Sequence, residues 1–392
     1  MLHMLILFSN KKWLNLTLVN YYTMNFEQIY QQNPDFPNRY ISPENLFSYL
    51  RKNLGNYIRE IGTSYLGKPV YQLTIGKGNI NVLAWSQMHG NESNATHAVL
   101  DLLFSLQKAP DLRDELFDNI QLDFIFMLNP DGSERWTRLN ASDIDLNRDF
   151  HNEASKEIKL LKAAVSNKKY DYALNLHEQR TIFTTDGIHP ATLSFLAPSE
   201  NVERTVTENR KKCMAVIAGI YTHLKELIPN QIGRYSDEFY PASTGDNFIK
   251  AGMPTILFEG GHFADDYIRT GTRKYYTIAF YYALKTMIEL NSDTEGWEAY
   301  LEIPENKETH YDIIYRNVKL NTDHECVLDI AVQYREVKEE GRDEISFVPF
   351  VMEVGDVKQR KGWKEIDCTG KKFICPTKYP KLDAEVNFLI ED

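Results

Sequence analysis

Short apolar runs alternate with helical segments through the first 290 or so residues of this 392-residue chain. Residues 80–87, INVLAWSQ, form an apolar run that ends at a turn, the pattern of a buried strand. Residues 94–107 follow with Ala95, Ala98, Val99, Leu102 and Leu106 at the spacing of an amphipathic helix. Further strands are expected at 120–128, 170–176 and 255–258, and helices near 155–166, 202–227 and 273–290. Strands alternating with helices predict an α/β sheet with helices on both faces. Past residue 300 the pattern changes. HYDIIYRNVKL, CVLDIAVQYREV, ISFVPFVMEVG and AEVNFLI read as strands separated by polar turns. We therefore divide the chain into a main domain at 24–300 and a small β-rich C-terminal domain at 301–392. Residues 1–23 read as an N-terminal extension or a misassigned start, because Met24 opens a more ordinary sequence; a poor signal peptide is the alternative.

Composition narrows the partners. A formal net charge of −11 with no long basic block argues against nucleic acid or an anionic membrane surface. No stretch approaches the roughly 20 apolar residues of a membrane helix. The four cysteines, Cys213, Cys326, Cys368 and Cys375, form no CxxC pair and read as free thiols of a cytoplasmic protein. Cys368 and Cys375 would bridge if the protein were exported.

A histidine followed three residues later by an acid occurs three times: His89/Glu92, His223/Glu226 and His262/Asp265. Roughly one such pair is expected by chance from the 10 His and 55 acidic residues, so position must discriminate. In open α/β sheets functional groups gather beyond the carboxyl ends of strands. His89 and Glu92 follow the strand at 80–87, His177 ends the strand at 170–176, and Glu259 ends the strand at 255–258. These four should meet on one rim. His223/Glu226 lies inside an amphipathic helix and reads as an exposed pair. His262/Asp265 sits in a loop near the rim without a third ligand. His310 and His324 lack the spacing of a second metal site, and the C-terminal segment is expected to supply no catalytic group.

Two imidazoles and a carboxylate leave zinc an open coordination position. Zinc lowers the pKa of bound water and polarises a carbonyl. A carboxylate that is not a ligand must then take the proton and pass it to the leaving amine, and Glu259 is available. Arg138 and Arg148, in ERWTRLNASDIDLNRDF, supply cations for an oxyanion and for a substrate carboxylate.

GTSYLGKPVYQLTIG, HGNE, NPDG, RWTRLN, DLNRDF, LNLH and FYPASTG…FE occur in an order that resembles zinc carboxypeptidases of the pancreatic carboxypeptidase A type, over roughly 60–290. The resemblance implies a mixed central sheet and one zinc per chain, held by His89, Glu92 and His177, with Glu259 as general base. It implies that Arg138 stabilises the oxyanion, that Asn147 and Arg148 hold the substrate's terminal carboxylate, and that Tyr240 is the mobile tyrosine that closes over bound peptide. Asp246 aligns loosely with the position that selects the terminal side chain, and an ordinary loop aspartate is the simpler reading. Two runs depart from the family pattern: FEGGH at the base and LHEQR at the third ligand. HGNE and DLNR also occur in aspartoacylases and succinylglutamate desuccinylases of the same superfamily. The expected activity is hydrolysis of a C-terminal peptide bond, in a substrate with a free carboxylate, by metal-activated water. Deacylation of an N-acyl amino acid is the alternative. A non-catalytic binding protein is disfavoured because all three ligands and the base are retained.

Overall fold

The computed structural model describes residues 26–321 and 324–391, so the expected extension at 1–23 lies outside the described residues. Eight strands build the main sheet: β1 (Ile58–Thr63), β2 (Pro69–Ile75), β3 (Ile80–Trp85), β4 (Ile120–Phe126), β5 (Tyr172–Glu178), β6 (Leu193–Leu196), β7 (Ile232–Arg234) and β8 (Thr255–Gly260). Their order is β1-β2-β4-β3-β5-β8-β6-β7. The centre, β4-β3-β5-β8, is parallel. β1 and β2 add on antiparallel at one side, and β6 runs antiparallel to β8 at the other. The sheet is therefore mixed, as the resemblance implied.

Helices cover both faces. One apolar cluster joins the sheet to the helices Asn94–Leu106, Glu208–Leu224 and Thr270–Leu290. The other packs Trp85, Ile125 and Ala173 against Ile158 and Leu161 of the helix Lys156–Asn167. That helix starts where Ser155 accepts a hydrogen bond from Ile158 N, which satisfies one of its free donors.

The helix Asn94–Leu106 departs from its amphipathic reading, for its polar face is buried too. The segment around 29–41 lies over it. Asp101 accepts from Asn33 N at 2.8 Å, and Ser105 accepts from Gln31 N at 2.7 Å. Arg273 closes on the same Asp101 through two bonds of 2.5 Å and donates to Phe36 O at 2.7 Å. Asp101 and Ser105 are thus both partnered, which makes their burial tolerable.

The C-terminal segment forms a separate four-stranded sheet from β9 (His310–Lys319), β10 (Val327–Lys338), β11 (Ile345–Gly355) and β12 (Lys361–Asp367), in the order β11-β10-β9-β12. Asp312 of β9 ties it to the main sheet by accepting from Thr181 Oγ1 at 2.7 Å and from the Tyr267 hydroxyl at 3.0 Å. Trp363 of β12 donates to Thr181 O at 2.8 Å. All four cysteines are free thiols, so Cys368 and Cys375 do not bridge.

Candidate metal and active site

His89 and Glu92 lie on the turn between β3 and the helix Asn94–Leu106. Glycine makes that turn possible. A Cβ on Gly90 would stand 2.1 Å from the backbone of Gly132 in the NPDG segment, so no side chain fits between the two loops. Asn129 locks the contact by accepting from Gly132 N at 2.9 Å. Gln87 Nε2 adds bonds of 2.9 Å to Gly90 O and Ser133 Oγ.

His177 and Glu259 are direct partners in the parallel pair β5 and β8. Paired residues of neighbouring strands point to the same face, so the register alone aims both side chains at the turn that bears His89. Both strands run past these residues, to Glu178 and Gly260. The third ligand and the base therefore sit inside the strands, where sheet pairing fixes their backbone.

The side chains converge. His89 Nδ1 is 2.8 Å from Glu92 Oε1, His177 Nδ1 is 2.8 Å from Glu92 Oε2, and the two ring nitrogens are 3.1 Å apart. Among the described residues this is the sole group of three or more potential ligands whose donor atoms lie within 4.8 Å of one another. All three residues are buried. Burial would raise the Glu92 carboxyl, but the two imidazoles outweigh it and hold it far below its usual range. Burial pulls the His177 imidazole down, toward the neutral form a metal needs. Glu259 Oε2 is shielded from solvent and has no hydrogen-bond partner. Burial pushes its carboxyl well above the usual range, and the charge of Glu92 adds to that. A donor set of two Nδ1 atoms and a carboxylate, beside a carboxyl short of positive charge, fits zinc.

Asp145 orients this set, and no role for it was read from the sequence. Its Oδ1 lies 3.1 Å from His89 Nε2 and accepts from Asn147 N at 2.9 Å. A proton on Nε2 leaves the Nδ1 lone pair of His89 free for a metal. Asp145 Oδ2 meets Arg138 Nε at 3.1 Å and Nη2 at 3.0 Å. Arg138 Nη1 is thereby brought to 3.1 Å from His89 Nδ1. The expected oxyanion cation does stand beside the ligands.

The remaining expected residues line the same cavity of about 850 Å³. Asn147 Oδ1 accepts from Thr244 N at 2.9 Å, so its amide nitrogen is the group left to meet a ligand. The Arg148 guanidinium lies 5.2 Å from the Tyr240 ring centroid. Among the described residues no carboxylate is in ion-pair range of Arg148, while Arg138 is paired. Tyr240 is 52% exposed. Asp246 also lines the cavity, but its carboxylate is bonded to Tyr240 N and the Ser243 hydroxyl and holds that turn together.

The other two His-x-x-acid pairs bind nothing together. His223 stacks on Tyr282 at 4.0 Å, and Glu226 is exposed. His262 is buried between Tyr267 and Trp363 while Asp265 points outward.

Residues 56–243 match the family model described as zinc carboxypeptidase. A search of curated proteins by sequence gives no match. Among solved structures, the chain is similar to a metallo-carboxypeptidase from Burkholderia cenocepacia at 17% identity and a TM-score of 0.52, covering 64% of this chain and 70% of that one. It is also similar to bovine thrombin-activatable fibrinolysis inhibitor, solved with tick carboxypeptidase inhibitor, at 16% identity and a TM-score of 0.51, over 64% and 98% of the two chains. These likenesses establish the fold, and the family match over 56–243, a little under half of the chain, together with the His89–Glu92–His177 cluster supports a zinc metallopeptidase.

Proposed function

We propose that the chain removes C-terminal residues from peptides with a free terminal carboxylate. The observation that carries this reading is that one cavity holds both the His89–Glu92–His177 cluster and an arginine, Arg148, with no carboxylate partner among the described residues. Zinc held by the three ligands would polarise the scissile carbonyl and make water acidic enough to attack it. Glu259, with a free oxygen beside the ligands, takes the water proton and delivers it to the departing amine. Arg138, steadied by Asp145, faces the negative charge that develops on the carbonyl oxygen. Arg148 and the amide nitrogen of Asn147 hold the terminal carboxylate, and the exposed Tyr240 ring covers the bound residue.

Deacylation of N-acyl amino acids uses the same groups and differs in what occupies the acyl side. The zinc-loaded protein, given a panel of peptides, their C-terminal amides and acyl-amino acids, tests the reading. Free peptides should be cleaved and amidated ones spared. Equal cleavage of amidated and free peptides would remove Arg148 from its role, and hydrolysis of acyl-amino acids alone would favour deacylation.

A further inference from the structure

One cavity is lined by Arg148 and Tyr240, by the ligand cluster and by residues Gln333–Glu336 of β10. β9 pairs with β10 only as far as Ile313 and Val332. From Gln333 to Lys338, β10 is paired with β11 on one side alone, and its other edge turns toward the main domain. Two sets of bonds pin that stretch across the cleft. At one end Asp312 accepts from Tyr334 N at 2.7 Å and from Thr181 Oγ1, and Thr181 lies four residues after His177. At the other end Glu336 pairs with Arg39 at 2.8 Å and accepts from Trp136 Nε1 at 2.9 Å, two residues before Arg138. Lys338 adds a cation–ring contact of 4.9 Å with Tyr40. Arg39 is itself fixed, by Glu178 beside His177 at 3.2 Å. The strand thus bridges the loop after the third ligand and the loop before the oxyanion arginine. Arg148 and Tyr240 lean on each other beside the helix Thr244–Lys250 and take no part in these bonds.

We infer that β10 is a fixed wall that ends the acyl side of the cleft, so that the substrates are short peptides of two or three residues and not the tails of long polypeptides. This rests on the peptidase reading. A substrate whose carboxylate sits at Arg148 and whose scissile carbonyl sits at the ligands then meets Gln333–Glu336 with the rest of its chain. The whole cavity is of the size that encloses one drug-sized molecule, roughly 300–1,000 Å³. A longer chain would have to displace the part-buried Glu336–Arg39 ion pair and the hydrogen bonds that pin the strand.

The test uses the zinc-loaded full chain and peptides that share one cleavable C-terminal residue and grow from dipeptide to octapeptide at the amino end. The specificity constant kcat/KM should fall by about 100-fold or more between tripeptide and octapeptide. Lowering the wall with Arg335→Ala and Glu336→Ala together should raise the octapeptide-to-tripeptide ratio about 10-fold or more. An octapeptide cleaved as well as the tripeptide by the unmutated enzyme would overturn the length limit and leave the peptidase reading standing. Absence of hydrolysis across the whole series, with zinc bound, would overturn the peptidase reading and the limit with it. The unmutated series decides even if the double variant fails to fold.

Discussion

Asp145→Ala should weaken zinc binding without touching a ligand. The carboxylate contacts His89 Nε2 at 3.1 Å, Arg138 at 3.0 and 3.1 Å and Asn147 N at 2.9 Å. Its removal leaves the Nε2–H of a buried imidazole without an acceptor, and the ring loses the bond that selects its tautomer. Losses of this kind cost about 10–100-fold in metal affinity, roughly 1.4–2.7 kcal/mol. Arg138 moves the expectation to the upper end. Its Nη1 already lies 3.1 Å from His89 Nδ1, and without Asp145 to bind its other nitrogens the guanidinium competes with the metal for that lone pair. Asp145→Asn keeps an acceptor for Nε2–H but loses the charge that restrains Arg138, so a loss of about 10-fold is expected. The assay is a zinc titration of metal-free protein against a chromophoric chelator at pH 7.5. A dissociation constant for Asp145→Ala within twofold of the unmutated value would refute the argument.

Glu259→Gln should retain stoichiometric zinc and near-normal KM while kcat falls by about 10²–10⁴-fold, measured on the best peptide of the panel. Arg148→Ala should raise KM for free peptides, by the loss of a charge-assisted contact of about 1.5–3 kcal/mol, and leave zinc content unchanged. Arg273→Ala strands Asp101, which is 0% exposed, and should destabilise the fold by about 3–5 kcal/mol, read from the urea midpoint. Burial, with the nearby charges of Arg269 and Lys361 respectively, holds the imidazoles of His262 and His310 down to about 3 and about 4. Because the unfolded chain binds these protons near pH 6.5 and the native chain does not, stability should fall between pH 6.5 and pH 4 by up to about 1.4 kcal/mol per pH unit per histidine. His262→Phe should lose less of its pH 7 urea midpoint at pH 5 than the unmutated protein, and equal losses would remove His262 from this account.

The central strands and the four residues His89, Glu92, His177 and Glu259 were legible because apolar runs mark buried strands and polar residues at their ends mark the rim. Strand ends were less legible. Apolar composition stops at Leu176 and Phe258, but backbone pairing continues through His177–Glu259 and Glu178–Gly260, since a ladder is made by the main chain and tolerates polar side chains. Asp145 escaped notice for a different reason. Its partner His89 is 56 residues away, and spacing within DIDLNRDF carries no sign of a contact that only the folded loop makes. The strands β1, β6 and β7 were not singled out, because IREIGT, LSFL and IGR are too short or too polar to show a clear period.

The C-terminal sheet shows how a strand pattern can be read correctly while its use stays hidden. Asp312, Gln333 and Glu336 look like solvent-side positions of alternating strands. In the fold they are the groups that meet Thr181, Tyr267, Arg39 and Trp136. Thr181 follows the third ligand and Tyr267 follows the base, so the sheet braces the two loops that leave the reacting centre. The ligand cluster itself is made by His89, Glu92 and His177 of the main domain. The C-terminal sheet is nonetheless not an appendage. A chain cut near residue 300 would uncover the His262 ring that Trp363 now packs against, and would take from Arg39 one of its two carboxylate partners, Glu336, leaving it Glu178 alone. Loops held only from one side are free to drift. A site whose groups must stay within a fraction of an ångström of their working positions then loses rate before it loses zinc.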